Sequence, residues 1–507
     1  MKRIIVVIMI MVSLGTFSQP KKNVLFIAVD DLKPLLNCYG VRDIKSPNID
    51  KLAYAGTLFT NNQCQQAVCS PSRASLMFGI RPDRTKIWDL QTPLRTATKD
   101  DKTIAQYFKE KGYETVAFGK IFHISMADKE HDTESWSIPY TSVNIENYPT
   151  ELGEPFAGHF QDTELKASLN KKFQSLIAEG QKPGAARNKT LQELKVSTEM
   201  LDVVDEAYQD GQIAQNAVKM IDQLANKEKP FFIAVGFKKP HLPFVAPKEY
   251  WDLYDRNTIE LAKWQKAPIG APDYAMHDWG ELKSYSDIEA YVMPSGVLAE
   301  DKQRELIHGY MAAVSYTDAQ IGKLLDELKK QGVAENTIVV LWGDHGWHLG
   351  DHSLWCKHSN FEQATRSPLI FSAPGMEKRQ QNSSPVEFVD IYPTLCDLAG
   401  IDIPSDLDGV SLKPILSGKK QKVKDFAVSQ YPRGNRMGYS LRDDRYRYTA
   451  WFQYDYRGTE KPSQENLIGE ELYDYSIDPY ETTNYVNEKE YVDIHRELLN
   501  ELLEFLK

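Results

Sequence analysis

The sequence predicts an α/β fold: a large, mainly parallel sheet flanked by helices, followed by a smaller C-terminal α+β subdomain built on a short antiparallel sheet. Two observations predict the large sheet. Four continuous apolar runs, at 23–29, 114–118, 231–237 and 337–342, recur along the chain, and runs without alternation mark strands buried on both faces. Segments with helix-like apolar spacing, at 103–111, 205–226 and 301–330, precede the last three runs, and strands alternating with helices imply parallel pairing. The subdomain is read from short β-rich runs after residue 425 and one final helical segment.

Taken in order, the chain opens with Met1-Lys2-Arg3 and an apolar run over 4–17, the charged and apolar regions of a secretory signal peptide spanning 1–18. The run is shorter than the ~20 residues of a spanning helix and no second candidate follows. No cysteine near Ser18 offers a lipid attachment point. The expectation is therefore an exported, soluble protein, periplasmic or secreted, with no stable membrane anchor. Gly112 and Gly332 serve as helix stop signals. Two long stretches rich in Pro, Gly and polar residues, 140–199 and 257–296, interrupt the pattern and are read as loops that shape access. A helix over 390–399 is followed by Pro404, Gly409 and the basic run 419–424, which resemble a linker. This divides the mature chain into a catalytic domain, 19–418, and a C-terminal subdomain, 424–507, with strands over 426–430, 439–441 and 446–452 and a helix over 492–506.

A chain of 507 residues with 42% hydrophobic residues can bury a large core. The net charge of -11 argues against general nucleic-acid binding, and an anionic substrate must be met by a local basic cluster. Five cysteines, Cys38, Cys64, Cys69, Cys356 and Cys396, do not make a disulfide framework in so long a chain. Their odd number leaves at least one unpaired, and a Cys64–Cys69 bridge stays open.

Ligands of parallel sheets sit beyond the carboxyl ends of the strands. All four apolar runs break off there into polar clusters: Asp30-Asp31, Gly119-Lys120, Lys238-Lys239-Pro240-His241 and Gly343-Asp344-His345-Gly346. Asp30, Asp31 and Asp344 are hard oxygen donors, suited to Ca²⁺ or Mg²⁺ rather than a soft metal. Adjacent acids after a strand also cap helices or turns, and a lone cysteine is more often a buried structural thiol.

The stretch Cys69-Ser70-Pro71-Ser72-Arg73, followed by Gly79, resembles the signature around which type I sulfatases mature their nucleophile. In that family a maturation enzyme oxidises the cysteine to formylglycine. The resemblance implies an alkaline-phosphatase-like fold and a sulfuric ester hydrolase. It also implies Ca²⁺, in preference to Mg²⁺, held by Asp30, Asp31, matured residue 69, Asp344 and His345. Arg73 is expected to hold the hydrated aldehyde and the acids, a task suited to its planar donors. Lys120 and His123, from Gly-Lys-Ile-Phe-His, are expected to contact sulfate and deprotonate the second hydroxyl. His241 and Lys357 are expected to bind the bridging oxygen and protonate the departing alkoxide. The motifs Lys-Pro-His-Leu-Pro-Phe, Asp-His-Gly-Trp-His-Leu-Gly-Asp-His and Met437-Gly438-Tyr439-Ser440-Leu441-Arg442 are most similar to the iduronate-2-sulfatase group. Met77 and Phe78 depart from the Leu and Thr usual before Gly79.

The group resemblance implies a 2-O-sulfated uronic acid or related sugar, in a glycosaminoglycan or algal polysaccharide, as partner. Trp347, His348, Trp355 and Arg442 are expected substrate contacts, with packing as the competing reading. His131, His159, His277 and His308 are read as structural, while His348, His352 and His358 lie beside the motif loop. Two other readings remain open: a phosphatase or phosphodiesterase of the same superfamily, using Ser or Thr and two metals, and a glycan-binding protein on an inactive scaffold.

Overall fold

The computed structural model describes residues 21–123, 132–140 and 160–507. The signal-peptide region, His131 and His159 lie outside the described residues. The apolar runs form strands β1 (Asn23–Val29), β3 (Glu114–Gly119), β4 (Phe231–Phe237) and β5 (Thr337–Gly343), with β2 (Thr57–Phe59), β6 (Leu369–Ser372) and β7 (Gln380–Asn382) completing one sheet. Its order is β7-β2-β6-β5-β1-β4-β3. The four long runs pair in parallel, whereas β6 runs antiparallel to both β5 and β2.

Why β1 lacks alternation is visible in its packing. Leu25, Ile27 and Val29 enter one core with Ile213, Ala217, Ile221, Val314 and Ile321, from helices Gln209–Ala225 and Glu300–Lys330. Val24, Phe26 and Ala28 enter a second core on the opposite face with Phe78, Ile104, Phe108 and Leu395. Every position of the strand after Asn23 is therefore apolar, and each large side chain so buried contributes about 1.5–3 kcal/mol. All five cysteines are free thiols.

The expected loop over 140–199 contains two helices, Thr163–Ala178 and Pro183–Leu194. Leu165, Leu169, Phe173 and Leu176 make a narrow helical stripe among polar residues, which the Pro- and Gly-rich flanks obscure in the sequence. The stretch 257–296 is mostly short turns with one brief helix, Gly280–Lys283.

At the C-terminus, β8 (Ala427–Arg433), β9 (Arg436–Arg442), β10 (Tyr446–Gln453) and β11 (Leu467–Asp474) form an antiparallel meander, with helix Val492–Phe505 supplying Leu498 and Leu502 to its core. The meander docks on the segment after the motif helix. Asp83 accepts from Tyr439 at 2.7 Å and Gln430 at 2.9 Å, and Arg447 reaches Gln63 and Glu362. The basic run 419–424 is not a simple linker, because Lys424 pairs with Glu387 at 2.6 Å and Asp390 at 2.7 Å.

Glu387 also takes Arg81 on both oxygens at 2.7 Å. Burial opposes its charge, but Arg81 and Lys424 outweigh burial and hold the carboxyl at about 2. A depressed carboxyl stabilises the fold fully above its unfolded value of ~4.3, and that contribution is lost as pH falls through the folded value. Glu387→Gln leaves Arg81 without its carboxylate and Lys424 with Asp390 alone, and is expected to cost about 3–5 kcal/mol at neutral pH. Denaturant titrations should show this gap at pH 7 and a smaller one at pH 3; equal stability at pH 7 would rule out the network as a stabilising clasp.

Candidate active site

The parallel register sets the strand ends level: Val29 lies opposite both Phe237 and Gly343, and Gly119 opposite Gly236. The ladder continues one residue past each end, through Lys120 N to Gly236 O at 2.7 Å and Asp344 N to Val29 O at 3.3 Å. Gly119 has φ +71, and a Cβ there would fall 2.1 Å from Gly236 O. Only glycine lets the backbone turn there while the two strands stay paired. Asp30, Lys120 and Asp344 thus emerge side by side on one rim.

Cys69 opens helix Cys69–Phe78, every residue of which is buried. Arg73 follows one turn later on the same face. Gly79 ends the helix at φ +68, where a Cβ would meet Leu407 at 2.9 Å and Tyr392 at 3.1 Å. Met77 and Phe78 fill the core. Arg73 donates to Asp30 and Asp344, each at 2.9 Å, and to the carbonyls of Lys120 and Ile121. Ser72 Oγ donates to Asp344 O. Cys69 Sγ lies 3.4 Å from His345 Nε2. Burial, against Lys120 and Lys357, pushes the thiol up to about 12, so it is no thiolate nucleophile at neutral pH.

Asp31, Cys69, Asp344 and His345 each present a ligand atom within 4.8 Å of the others, and Asp30 clusters with Asp31 and Cys69 likewise. Asp30, Asp31, Asp344 and His345 are at most 1% exposed. His345 Nδ1 faces Gly346 O at 2.9 Å, which assigns the proton to Nδ1 and leaves the Nε2 lone pair toward Asp31 Oδ1 at 3.3 Å. Asp31 stands at φ +59, a left-handed conformation that Asp tolerates. Burial opposes the charge of Asp30, yet Lys120 and Arg73 hold it well below the carboxylate range. Burial with the charges of Asp30 and Cys69 drives Asp31 well above that range despite Lys357. Three buried carboxyl groups and one imidazole nitrogen fit a hard divalent cation.

Four further nitrogen-bearing side chains surround this cluster. Lys120 Nζ pairs with Asp30. Lys357 Nζ reaches both oxygens of Asp31 at 3.1 Å, and its neighbours Cys356 and His358 both have positive φ. His241 Nε2 lies 3.7 Å from Asp31 and 3.2 Å from Glu281. Burial, with Lys120 beside it, lowers His123 to about 3, and its Nδ1 is buried with no hydrogen-bond partner among the described residues. A neutral imidazole in that position can accept a proton.

The expected substrate contacts do not open to solvent. Trp347 is buried beneath Lys357, which sits 4.8 Å over its ring. His348 is buried and bonded to Ser359 at 2.9 Å, Trp355 packs in the core, and Arg442 is committed to Glu362 and stacked 4.0 Å over Tyr475. Burial and internal partners occupy the faces of these four, which favours the packing reading. His277 and His308 are also internal, contacting Trp279 N and Trp251 O; His352 bonds Tyr480 O. Glu281, from the stretch 257–296, escaped the sequence reading of the site, and His358, undecided in the sequence beside the motif loop, reaches Glu281 at 3.4 Å and Tyr431 at 2.9 Å. Their only signal was nearness to Lys357, which for Glu281 exists only after folding.

Residues 22–401 match the sulfatase family, and residues 350–507 match the N-sulphoglucosamine sulphohydrolase C-terminal family. Iduronate 2-sulfatase of Homo sapiens is 33% identical, over 96% of each chain. A solved structure described as a 2-O GAG sulfatase aligns with TM-score 0.63 and 25% identity over 96% of this chain and 92% of its own. Another, in complex with its substrate D-glucosamine-2-N,6-O-disulfate, aligns with TM-score 0.70 and 22% identity over 96% and 97%. The likeness runs through both the sheet that levels the four polar ends and the meander docked beside it, and the chain belongs to the sulfatase family.

Proposed function

We propose that this enzyme hydrolyses O-sulfate esters of a sulfated carbohydrate, with a 2-O-sulfated uronic acid or related sugar of a glycosaminoglycan or algal polysaccharide as its substrate class. The observation that carries the reading is the seat of Cys69, enclosed by three carboxylates and by Arg73, Lys120 and Lys357. The sugar class is supported by the 33% identity to iduronate 2-sulfatase and by the likeness to a 2-O GAG sulfatase.

A maturation enzyme of the exported pathway converts Cys69 to formylglycine, whose hydrate supplies one hydroxyl to attack sulfur and a second to expel sulfate. Asp30, Asp31, Asp344, His345 and residue 69 would hold calcium, which would supply a Lewis acid for the sulfate oxygens and for the attacking hydroxyl. Arg73 fixes the acids and the helix that carries residue 69. Asp344 accepts the proton of the attacking hydroxyl. Lys120 binds a sulfate oxygen. As the bond between sulfur and the sugar oxygen breaks, its electron pair stays on that oxygen, which takes a proton from His241 or Lys357. His123 then removes the proton of the second hydroxyl, sulfate departs and the aldehyde is restored.

The phosphatase alternative is disfavoured by the ammonium groups on Asp30 and Asp31, which fill space that a second metal needs. Among the described residues no helix is long and apolar enough to cross a membrane, and the proposed setting is periplasmic or secreted.

Three outcomes test this reading. Peptide mass spectrometry of protein made in a maturation-competent host should show residue 69 as the aldehyde or its hydrate, and Cys69→Ala should release no sulfate while keeping the parent circular dichroism. Residue 69 found wholly as thiol would defeat the proposed nucleophile. Chelation should abolish sulfate release and lower the melting temperature, with Ca²⁺ restoring both more fully than Mg²⁺; a melting temperature indifferent to both ions would remove the cation site. In a panel of defined sulfated oligosaccharides, 2-O-sulfated uronides should be turned over fastest, and a preference for 6-O-sulfated hexosamines would reassign the substrate.

A further inference from the structure

The short helix Gly280–Lys283 delivers one side chain to the mouth of the site. Trp279 and Leu282, both buried in the larger core, fix the backbone on either side of Glu281. The Glu281 carboxylate reaches Lys357 Nζ at 3.2 Å through Oε1 and 3.1 Å through Oε2. The same Oε1 lies 3.2 Å from His241 Nε2. Its other oxygen faces His358 Nε2 at 3.4 Å, and His358 is itself tethered to Tyr431 of β8. Burial opposes the charge of Glu281, but Lys357 foremost among its neighbours holds it well below the carboxylate range. Lys357 and His241 share two acidic partners, Asp31 and Glu281. Asp31 belongs to the cation cluster, so Glu281 is the partner that the cation does not claim.

A free ammonium on a four-carbon stem loses several rotors when it is held in one place. A carboxylate fixed by the core removes that cost before substrate arrives, and it aligns both donors toward one point. We propose that Glu281 is a positioning residue that holds Lys357 and His241 together as the donor pair for the departing sugar oxygen. This rests on the proposed sulfatase chemistry, in which those two residues meet that oxygen. Glu281 bonds Lys357, His241 and His358 rather than Cys69. Its effect must therefore scale with how much help the leaving group needs: an alkoxide requires a well-placed proton, whereas a nitrophenolate leaves without one.

The test compares two substrates in calcium-loaded, fully matured protein. Glu281→Gln should lower kcat/KM on a 2-O-sulfated uronide by roughly 10–100-fold and on 4-nitrophenyl sulfate by less than about threefold, with residue 69 conversion and melting temperature unchanged. Glu281→Asp should recover part of the loss on the sugar substrate. Combining Glu281→Gln with Lys357→Ala should cost little beyond Lys357→Ala alone, because both changes disable one unit. Equal losses on both substrates, or full additivity of the double variant, would overturn the assignment. A parent protein with complete residue 69 conversion that releases sulfate from neither substrate would overturn the underlying sulfatase chemistry, and the Glu281 assignment with it.

Discussion

One buried guanidinium organises the functional end of this molecule. Arg73 bonds Asp30 at the end of β1, Asp344 past the end of β5, and the carbonyls of Lys120 and Ile121 past the end of β3. A fully buried charge is tolerated only when paired and hydrogen-bonded throughout, and here the pairing has a structural consequence. Three strand ends and the helix that starts at Cys69 can relax only together. The planar fork of arginine satisfies several acceptors in fixed directions, which a lysine point charge cannot do.

That constraint sets the electrostatics around it. Asp30 and Asp31 are adjacent in sequence, yet one carboxyl is held far below its ordinary range and the other far above it. The difference follows from their surroundings: Asp30 faces two cations that outweigh its burial, while for Asp31 burial, with the charges of Asp30 and Cys69, outweighs Lys357. A cluster so unbalanced is poised to accept a positive ion. Outside it, Lys120, Lys357 and His241 form an arc suited to an anion, as expected of a chain whose net charge of -11 gives no general attraction for one.

The C-terminal meander is more than an appendage. Asp83, Gln63 and Gln65 accept or bear contacts from β8, β9 and β10, directly beside the motif helix. Tyr431 from β8 holds His358 at the mouth of the site. The second part of the chain thus completes walls that the large sheet leaves open.

How much of this was legible follows from where each signal resides. Strands β1, β3, β4 and β5 are read directly, because burial on both faces writes an unbroken apolar run, and the polar residues at their ends follow in sequence. Strand β11 was missed: its first half is only partly buried and it carries Glu470 and Glu471, so neither an apolar run nor clean alternation is written. Helix Thr163–Ala178 was missed because a narrow stripe suffices where packing covers one side only. By itself the sequence determined the four parallel strands at the centre of the sheet and the chemical types gathered at their ends, since these depend on local pattern and on topology rules, whereas β2, β6, β7 and the helix that starts at Cys69 emerged only with the structure. Only the tertiary structure decided that Trp347, His348, Trp355 and Arg442 turn inward, and that Glu281 meets Lys357 from 76 residues away. Such choices rest on which side chains the folded core encloses and which charges it brings within reach, and no local pattern encodes either.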